Sequence, residues 1–162
     1  MKRKLYVAYG SNLHIVQMQQ RCPESKLIGK GVIQDHELEF RGVATIKPSP
    51  GMNVPVVVWS ISKSDELELD RYEGVAHGLY RKEMIEVKLE AGINEQIQPS
   101  KVVNAMVYIM NVDEARPISP PSRYYYEVIR QGYLHHGLSF SPLAIAAILS
   151  GVSYIDESED QM

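Results

Sequence analysis

The chain opens with an apolar strand that runs into a turn. Residues 5–13 read LYVAYGSNL, so apolar and aromatic side chains are followed at once by Gly, Ser and Asn. Asn12 is a favourable N-cap, and a short helix is expected from there to about Arg21, where Pro23 stops it. Such a turn points three backbone N–H groups at one anionic group, those of Gly10, Ser11 and Asn12. The residues alone favour the ordinary reading, in which Gly10 only allows the turn and Asn12 only caps the helix.

Strand patterns dominate the next part of the chain. Residues 26–40 carry a weak apolar pattern, and residues 43–47 and 54–62 carry stronger ones. The last two strands are predicted to be joined by a turn at 48–51, which reads Pro-Ser-Pro-Gly. The continuous apolar run at 56–59 is typical of a central strand that is covered on both faces.

Glu73 ends the next predicted helix, which Ser64 is expected to cap. Glu73 lies four residues after Leu69 and shares its helix face, so its side chain is expected to lean inward. The helix dipole disfavours a negative charge at this end, and partial burial raises a carboxyl pKa in the same direction. A carboxylate so placed suits general acid–base chemistry near neutral pH. The ordinary alternative is a solvated glutamate before the terminating Gly74.

The second half of the chain predicts two strands and two helices. Residues 80–89 alternate regularly, and a further strand is expected at 102–110. Ser119, followed by proline, is typical of a helix start, so a helix is expected from there to about Leu134. A last helix is predicted over 142–149.

Size, charge and cysteine content narrow the class of protein. A chain of 162 residues that is 44% hydrophobic fits one domain, expected over residues 1–155, with an acidic, disordered tail at 156–162. A net charge of −3 does not favour binding to nucleic acid, and no apolar run is long enough to predict a membrane span. The single Cys22 and the absence of a signal-peptide pattern favour a cytoplasmic protein. The five histidines have no metal-site spacing, so no metal is expected.

Four segments, in this order, resemble the gamma-glutamylcyclotransferase family. They are LYVAYGSNL at 5–13, GVATIKPSPG at 42–51, VVVWSISKSDELELDRYEGV at 56–75 and a later Pro-Ser-x-Tyr-Tyr segment. The resemblance spans about residues 5–150 and implies an α+β fold, a small mixed β-barrel flanked by short α-helices. It also implies a cofactor-free enzyme that converts a gamma-glutamyl amide to 5-oxoproline and the free amine. The alternative is a non-catalytic small-ligand binding domain on the same fold.

The resemblance also implies the site residues. Glu73 falls on the family's catalytic carboxylate, and Tyr80 and Tyr125 fall on pocket tyrosines. The substrate-holding loop falls on Tyr6, Val7, Ala8, Tyr9, Gly10, Ser11 and Asn12. Relatives that act on glutathione resemble a version with Leu in place of Asn12, so a gamma-glutamyl amino acid or a gamma-glutamylamine is the expected substrate. The expected partner is this small molecule, with no nucleic acid and no membrane, and a homodimer is left open.

Overall fold

The computed structural model describes residues 2–90, 101–112 and 116–153, and a closed barrel of five strands organises them. The strands are β1 (Lys4–Ala8), β2 (Lys26–Arg41), β3 (Val43–Ile61), β4 (Tyr80–Leu89) and β5 (Lys101–Met110). Around the barrel they follow the order β1-β3-β2-β4-β5. Because β1 runs antiparallel to β3 and parallel to β5, the sheet is mixed. The predicted small mixed barrel of an α+β fold is therefore confirmed.

Helices flank the barrel. They are α1 (Ile15–Arg21), α2 (Lys63–Tyr72), α3 (Arg123–His136) and α4 (Ser141–Ser150), with 3-10 turns at Ser11–Leu13 and Val75–His77. Within the described part of the chain, none of the helices has the length and apolar character needed to cross a membrane. The predicted acidic tail at 156–162 lies outside the described residues.

Strand β3 passes through the middle of the core, as its sequence predicts. Val56, Val57 and Val58 follow one another along β3, and none of the three is exposed to solvent. Successive side chains of a strand point to opposite faces, so both faces of β3 are covered here. β3 pairs with β1 on one side and with β2 on the other.

Strands β2 and β3 form one long hairpin, so the predicted turn at 48–51 is wrong. The chain reverses at Gly42, and residues 48–51 continue β3. The opposite strand is irregular at Asp35, which has a φ of 57°, and the Asp35 Oδ1 accepts a hydrogen bond of 2.9 Å from the Gly51 N–H. Turn-forming residues are tolerated inside β3 because the ladder is already irregular at this point.

The predicted starts of three helices are corrected by the structure. His14 caps α1 in place of Asn12, because its Nδ1 accepts a hydrogen bond from the Gln17 N–H at 3.3 Å. Asn12 belongs instead to the 3-10 turn that precedes α1. This turn keeps Asn12 next to the end of β1. Because the Asn12 side chain does not cap α1, it is available for contacts within the loop.

Two serines exchange roles with their neighbours in the same way. Ser62, not Ser64, caps α2: its hydroxyl oxygen accepts from the Asp65 N–H, and the Asp65 carboxylate accepts from the Ser62 N–H, which completes a capping box. Ser122 caps α3, which begins at Arg123, while Ser119 pairs with the end of β2. Ser64 precedes an acidic residue and Ser119 precedes a proline, whereas the actual caps, Ser62 and Ser122, precede basic residues. The sequence pattern alone therefore selects the wrong serine in both helices.

Candidate active site

A pocket opens where β1 ends. The loop after β1, the end of α2 and side chains from β3, β4, β5 and α3 line it. Its lining contains the Glu73 side chain and five tyrosines, namely Tyr6, Tyr9, Tyr80, Tyr108 and Tyr125. The pocket therefore combines one carboxyl group with many phenol hydroxyls.

The residues that the sequence nominated converge on this pocket, with one exception. Ala8 is 1% exposed and lies in the core, whereas the other nominated loop residues, Glu73, Tyr80 and Tyr125 line the pocket. Three consecutive tyrosines made the position of Tyr125 ambiguous in the sequence. Tyr125 lines the pocket, while the neighbouring Tyr124 is 79% exposed. The structure adds Ala44 and Tyr108 to the lining.

Glu73 is the C-cap residue of α2, directly after its last residue, and lines the pocket. Its N–H donates to the Leu69 carbonyl oxygen at 2.9 Å, which continues the helix to this residue. Gly74 follows with a φ of +60°, a conformation that lets the chain turn away directly after Glu73. Burial raises the pKa of the Glu73 carboxyl to about 7, while the positive charge of Arg21 acts in the opposite direction.

Ion pairs tie α2, and with it Glu73, to the wall of the barrel. Glu66 lies 3.0 Å from the ammonium groups of both Lys4 and Lys82. Farther along the helix, Asp70 accepts a hydrogen bond of 2.6 Å from the Tyr108 hydroxyl. The helix is therefore fixed against β1, β4 and β5, and the carboxyl group at its end has a defined position.

Asn12 holds the loop together through its own side chain. It is 3% exposed, and its Nδ2 donates to the Tyr6 hydroxyl at 2.9 Å. Its Oδ1 accepts from Arg21 Nη1 at 2.7 Å, and its carbonyl oxygen accepts from the Trp59 indole at 3.1 Å. These contacts fix the peptide groups around Asn12, so its side chain has a structural task in the loop.

The loop presents N–H groups that need an acceptor. Among the residues that the structure describes, none accepts a hydrogen bond from the N–H of Gly10, Ser11 or Asn12. The first N–H groups of a helical turn have no acceptor within that turn, and several such groups together favour an anion. The loop therefore suits a carboxylate or a developing oxyanion.

Three of the pocket tyrosines donate their hydroxyl hydrogens to the protein. Tyr80 donates to the Ala44 carbonyl oxygen, and Tyr9 donates to the Tyr108 carbonyl oxygen, each at 2.6 Å. The Tyr108 hydroxyl donates to Asp70. These three phenols support the pocket walls, and their hydrogens are already used.

Tyr6 and Tyr125 differ, because their hydroxyl oxygens accept hydrogen bonds. Tyr6 accepts from Asn12, and Tyr125 accepts from the Ala44 N–H at 3.1 Å. Burial raises the pKa of the Tyr125 hydroxyl to about 12, although hydrogen bonds from Ala44 and Ser11 oppose this. Both phenols are therefore protonated at neutral pH, and each has a hydrogen to offer to a ligand.

Arg21 does not line the pocket but contacts two of its loop residues, and the sequence analysis missed it. It bonds to Asn12, donates to the Ser11 hydroxyl at 3.2 Å and lies over the ring of Tyr72. A basic residue in the last turn of a helix is usually explained by the helix dipole, so its position in the sequence gave no signal.

In the described ranges of the chain, no group of three His, Cys, Asp or Glu side chains is arranged to hold a metal ion.

Comparisons with known proteins agree with this architecture. The model of the AIG2-like family matches residues 53–141. The human protein named gamma-glutamylcyclotransferase is 35% identical over 146 residues, which cover 83% of this chain and 72% of the human one. The mouse protein of that name is 34% identical with the same coverage. A solved structure titled gamma-glutamyl cyclotransferase superposes with a TM-score of 0.74 at 29% identity, covering 94% of this chain and 89% of the other.

The family match extends over more than half of the chain and includes α2, Glu73 and Tyr125. The curated relatives extend it to most of the chain, and the solved structure shares the barrel itself. The chain therefore belongs to the gamma-glutamylcyclotransferase family.

Proposed function

We propose that this chain converts a gamma-glutamyl amino acid or a gamma-glutamylamine to 5-oxoproline and the free amine. The observation that carries the proposal is that one pocket holds both the Glu73 carboxyl group and the unpartnered N–H groups of the Gly10–Asn12 loop. The names of the relatives give the reaction type, and the pocket supplies groups for each of its steps.

The reaction closes a ring within the substrate. The substrate's alpha-amine, in its neutral form, attacks its own gamma-carbonyl carbon, so a C–N bond forms while the carbonyl electrons move to oxygen. Glu73, as the carboxylate, accepts a proton from the attacking nitrogen. The tetrahedral intermediate then collapses, the bond to the leaving nitrogen breaks, and Glu73 returns the proton to the departing amine. Atoms and charges balance without a further reactant.

The pKa of Glu73 suits both proton transfers. With its pKa raised to about 7, the Glu73 carboxylate is a stronger base than that of an exposed glutamate. After accepting the proton it is also a weak enough acid to hold it until the amine departs. Burial, which causes this pKa, is therefore part of the proposed mechanism.

The loop and two tyrosines bind the glutamyl part. The N–H groups of Gly10, Ser11 and Asn12 take either the alpha-carboxylate or the oxyanion at the gamma-carbon, since both are negatively charged. The hydroxyls of Tyr6 and Tyr125 supply further donors to the same pocket. Because the nucleophile is tethered, folding the substrate into a ring-like conformation supplies up to roughly 7–11 kcal/mol in the best intramolecular cases.

A panel of gamma-glutamyl compounds tests the proposal. Purified protein is incubated with gamma-glutamyl amino acids, gamma-glutamylamines such as isopeptide-linked lysine, and glutathione, and 5-oxoproline is measured by mass spectrometry. Catalytic release from an amino acid or amine conjugate supports the proposal. If no compound is turned over while several raise the melting temperature, the chain is a binding domain and the proposal is wrong.

A further inference from the structure

The Arg21 side chain lies between the two halves of the site. Its Nη1 donates to Asn12 Oδ1 at 2.7 Å and to Ser11 Oγ at 3.2 Å, both in the loop. The centre of its guanidinium lies 3.8 Å from the centre of the Tyr72 ring. Tyr72 is the last residue of α2 and directly precedes Glu73. One side chain from α1 therefore contacts both the loop and the end of the helix that carries the carboxyl group.

An ordinary surface role does not explain these contacts. Among the residues that the structure describes, no carboxylate forms an ion pair with Arg21, and its Nε is buried without a partner. Arg71, two residues before Glu73, shows the ordinary case, because it pairs with Glu68 and its side chain is 77% exposed. The Arg21 side chain is half-buried, and a guanidinium partly removed from water without a carboxylate partner is costly unless its hydrogen bonds and its charge serve the site.

We propose that Arg21 is a positioning residue that clamps the Ser11–Asn12 loop to the Tyr72–Glu73 end of α2. Only arginine suits this task, since its planar group bonds at its edge while its face lies on an aromatic ring. Asn12 in turn donates to Tyr6, so the clamp also fixes a pocket hydroxyl. The role rests on the proposed function, because it concerns the geometry of that reaction.

The charge of Arg21 also acts on Glu73. The other titratable groups that face this carboxyl are tyrosines from β1, β4, β5, α3 and the loop, namely Tyr6, Tyr80, Tyr108, Tyr125 and Tyr9. Burial raises the pKa of each, so all five are neutral below pH 9. In the described part of the chain, Arg21 is therefore the charged group whose loss raises the pKa of Glu73 further.

A set of four variants tests the clamp. Arg21→Met keeps the length of the side chain without charge, Arg21→Lys keeps the charge without the planar group, and Tyr72→Leu removes the ring. Arg71→Met is the matched control, since it removes an exposed arginine close to Glu73. Each is measured by a 13C NMR titration of the Glu73 carboxyl, assigned with Glu73→Gln, and by kcat and KM for 5-oxoproline release.

The expected results separate position from charge. Arg21→Met moves the titration midpoint to higher pH and lowers kcat by about 10- to 100-fold with a smaller change in KM. Arg21→Lys restores the midpoint but not kcat, and the Arg71→Met control changes neither. A midpoint in Arg21→Met equal to that of the wild type, or full kcat in Arg21→Lys, overturns the proposal.

Two further results keep the test decisive. If Arg21→Met does not fold, Tyr72→Leu decides, because a lowered kcat supports the clamp and an unchanged kcat overturns it. The NMR titration of Glu73 does not depend on catalytic turnover, so it can be measured even in an inactive protein. If the wild type releases no 5-oxoproline, the proposed function fails, while a shifted midpoint in Arg21→Met still shows the link between Arg21 and Glu73.

Discussion

The hydroxyl of Tyr80 donates a hydrogen bond of 2.6 Å to the carbonyl oxygen of Ala44, so its hydrogen is already used inside the protein. The N–H of Ala44 is also engaged, because it donates to the hydroxyl of Tyr125 at 3.1 Å. Two pocket phenols thus bond to the backbone of the same residue, Ala44, but one donates its hydroxyl hydrogen and the other accepts a hydrogen bond. Tyr125 has a hydrogen left for a ligand, and Tyr80 does not.

The two tyrosines are therefore expected to differ when each is changed to phenylalanine. Tyr125→Phe removes the donor proposed for a charged group of the substrate, a bond worth about 1.5–3 kcal/mol, and is expected to lower kcat/KM by about 10- to 100-fold. Tyr80→Phe leaves one carbonyl oxygen without a partner and is expected to act mainly on stability. Steady-state kinetics and thermal unfolding of both variants check this. A larger loss of kcat/KM in Tyr80→Phe would contradict the assignment.

The activity is expected to follow the ionisation of Glu73. Its pKa is raised from 4.5 to about 7. In the proposed reaction, the carboxylate form accepts the proton from the substrate amine. Activity is therefore low at pH 5 and rises with pH through about 7, reporting one deprotonation. A profile of kcat/KM for 5-oxoproline release between pH 3.5 and 9 measures this. An acid limb near pH 4.5 would show that Glu73 is not buried in solution.

The same burial makes Glu73 unfavourable for stability at alkaline pH. The folded protein holds the proton more tightly than the unfolded chain, so this group's contribution is fully present below pH 4.5 and is lost as the pH rises through about 7. Glu73→Gln is neutral at every pH and is therefore expected to raise the melting temperature at pH 8.5 relative to the wild type. The corresponding gain in the free energy of unfolding is at most about 3 kcal/mol at pH 8.5, and it disappears at pH 4.5. An equal shift of the melting temperature at both pH values would contradict this prediction.

Gly132 of α3 is expected to be needed for the position of the loop. A Cβ added there would lie 2.6 Å from the Leu13 Cβ and 2.9 Å from the Leu13 carbonyl carbon, directly after the loop. Gly132→Ala is therefore expected to destabilise the protein by about 1–3 kcal/mol and to lower kcat. Gly29→Ala is the control, since no atom lies within 4 Å of an added Cβ and a change within about 0.5 kcal/mol is expected. Urea unfolding of both variants measures the difference.

The barrel and the position of Glu73 were accessible to sequence reasoning for different reasons. The apolar run at 56–59 predicts a central strand because a strand covered on both faces carries no polar residues. Glu73 follows from its distance to Leu69 along a helix and from Gly74 behind it. The closure of the barrel and the meeting of Glu73 with the loop were supplied by the resemblance to the family, because local patterns hold no information on contacts across sixty residues.

Predictions from the sequence were wrong at positions where tertiary contacts outweigh the local conformational preference of the residues. The Pro-Ser-Pro-Gly segment at 48–51 is a turn by every local rule, yet it lies inside the long β2–β3 hairpin, where Pro48 pairs with His36 and the register then shifts. Asn12 is a good helix cap, yet Tyr6, Arg21 and Trp59 engage its polar groups. Arg21 itself gave no signal, since its contacts come from an adjacent loop and from a helix fifty residues away.

The central claim is that Glu73 transfers the protons of a cyclisation, and Glu73→Gln tests it most directly. Release of 5-oxoproline from the best substrate of the panel is measured by mass spectrometry at pH 7.5, beside circular dichroism and thermal unfolding of the same sample. The account predicts a folded variant whose kcat is lower by about 10²- to 10⁴-fold, the usual contribution of general acid–base catalysis. A folded Glu73→Gln variant that releases 5-oxoproline at nearly the wild-type rate would contradict it.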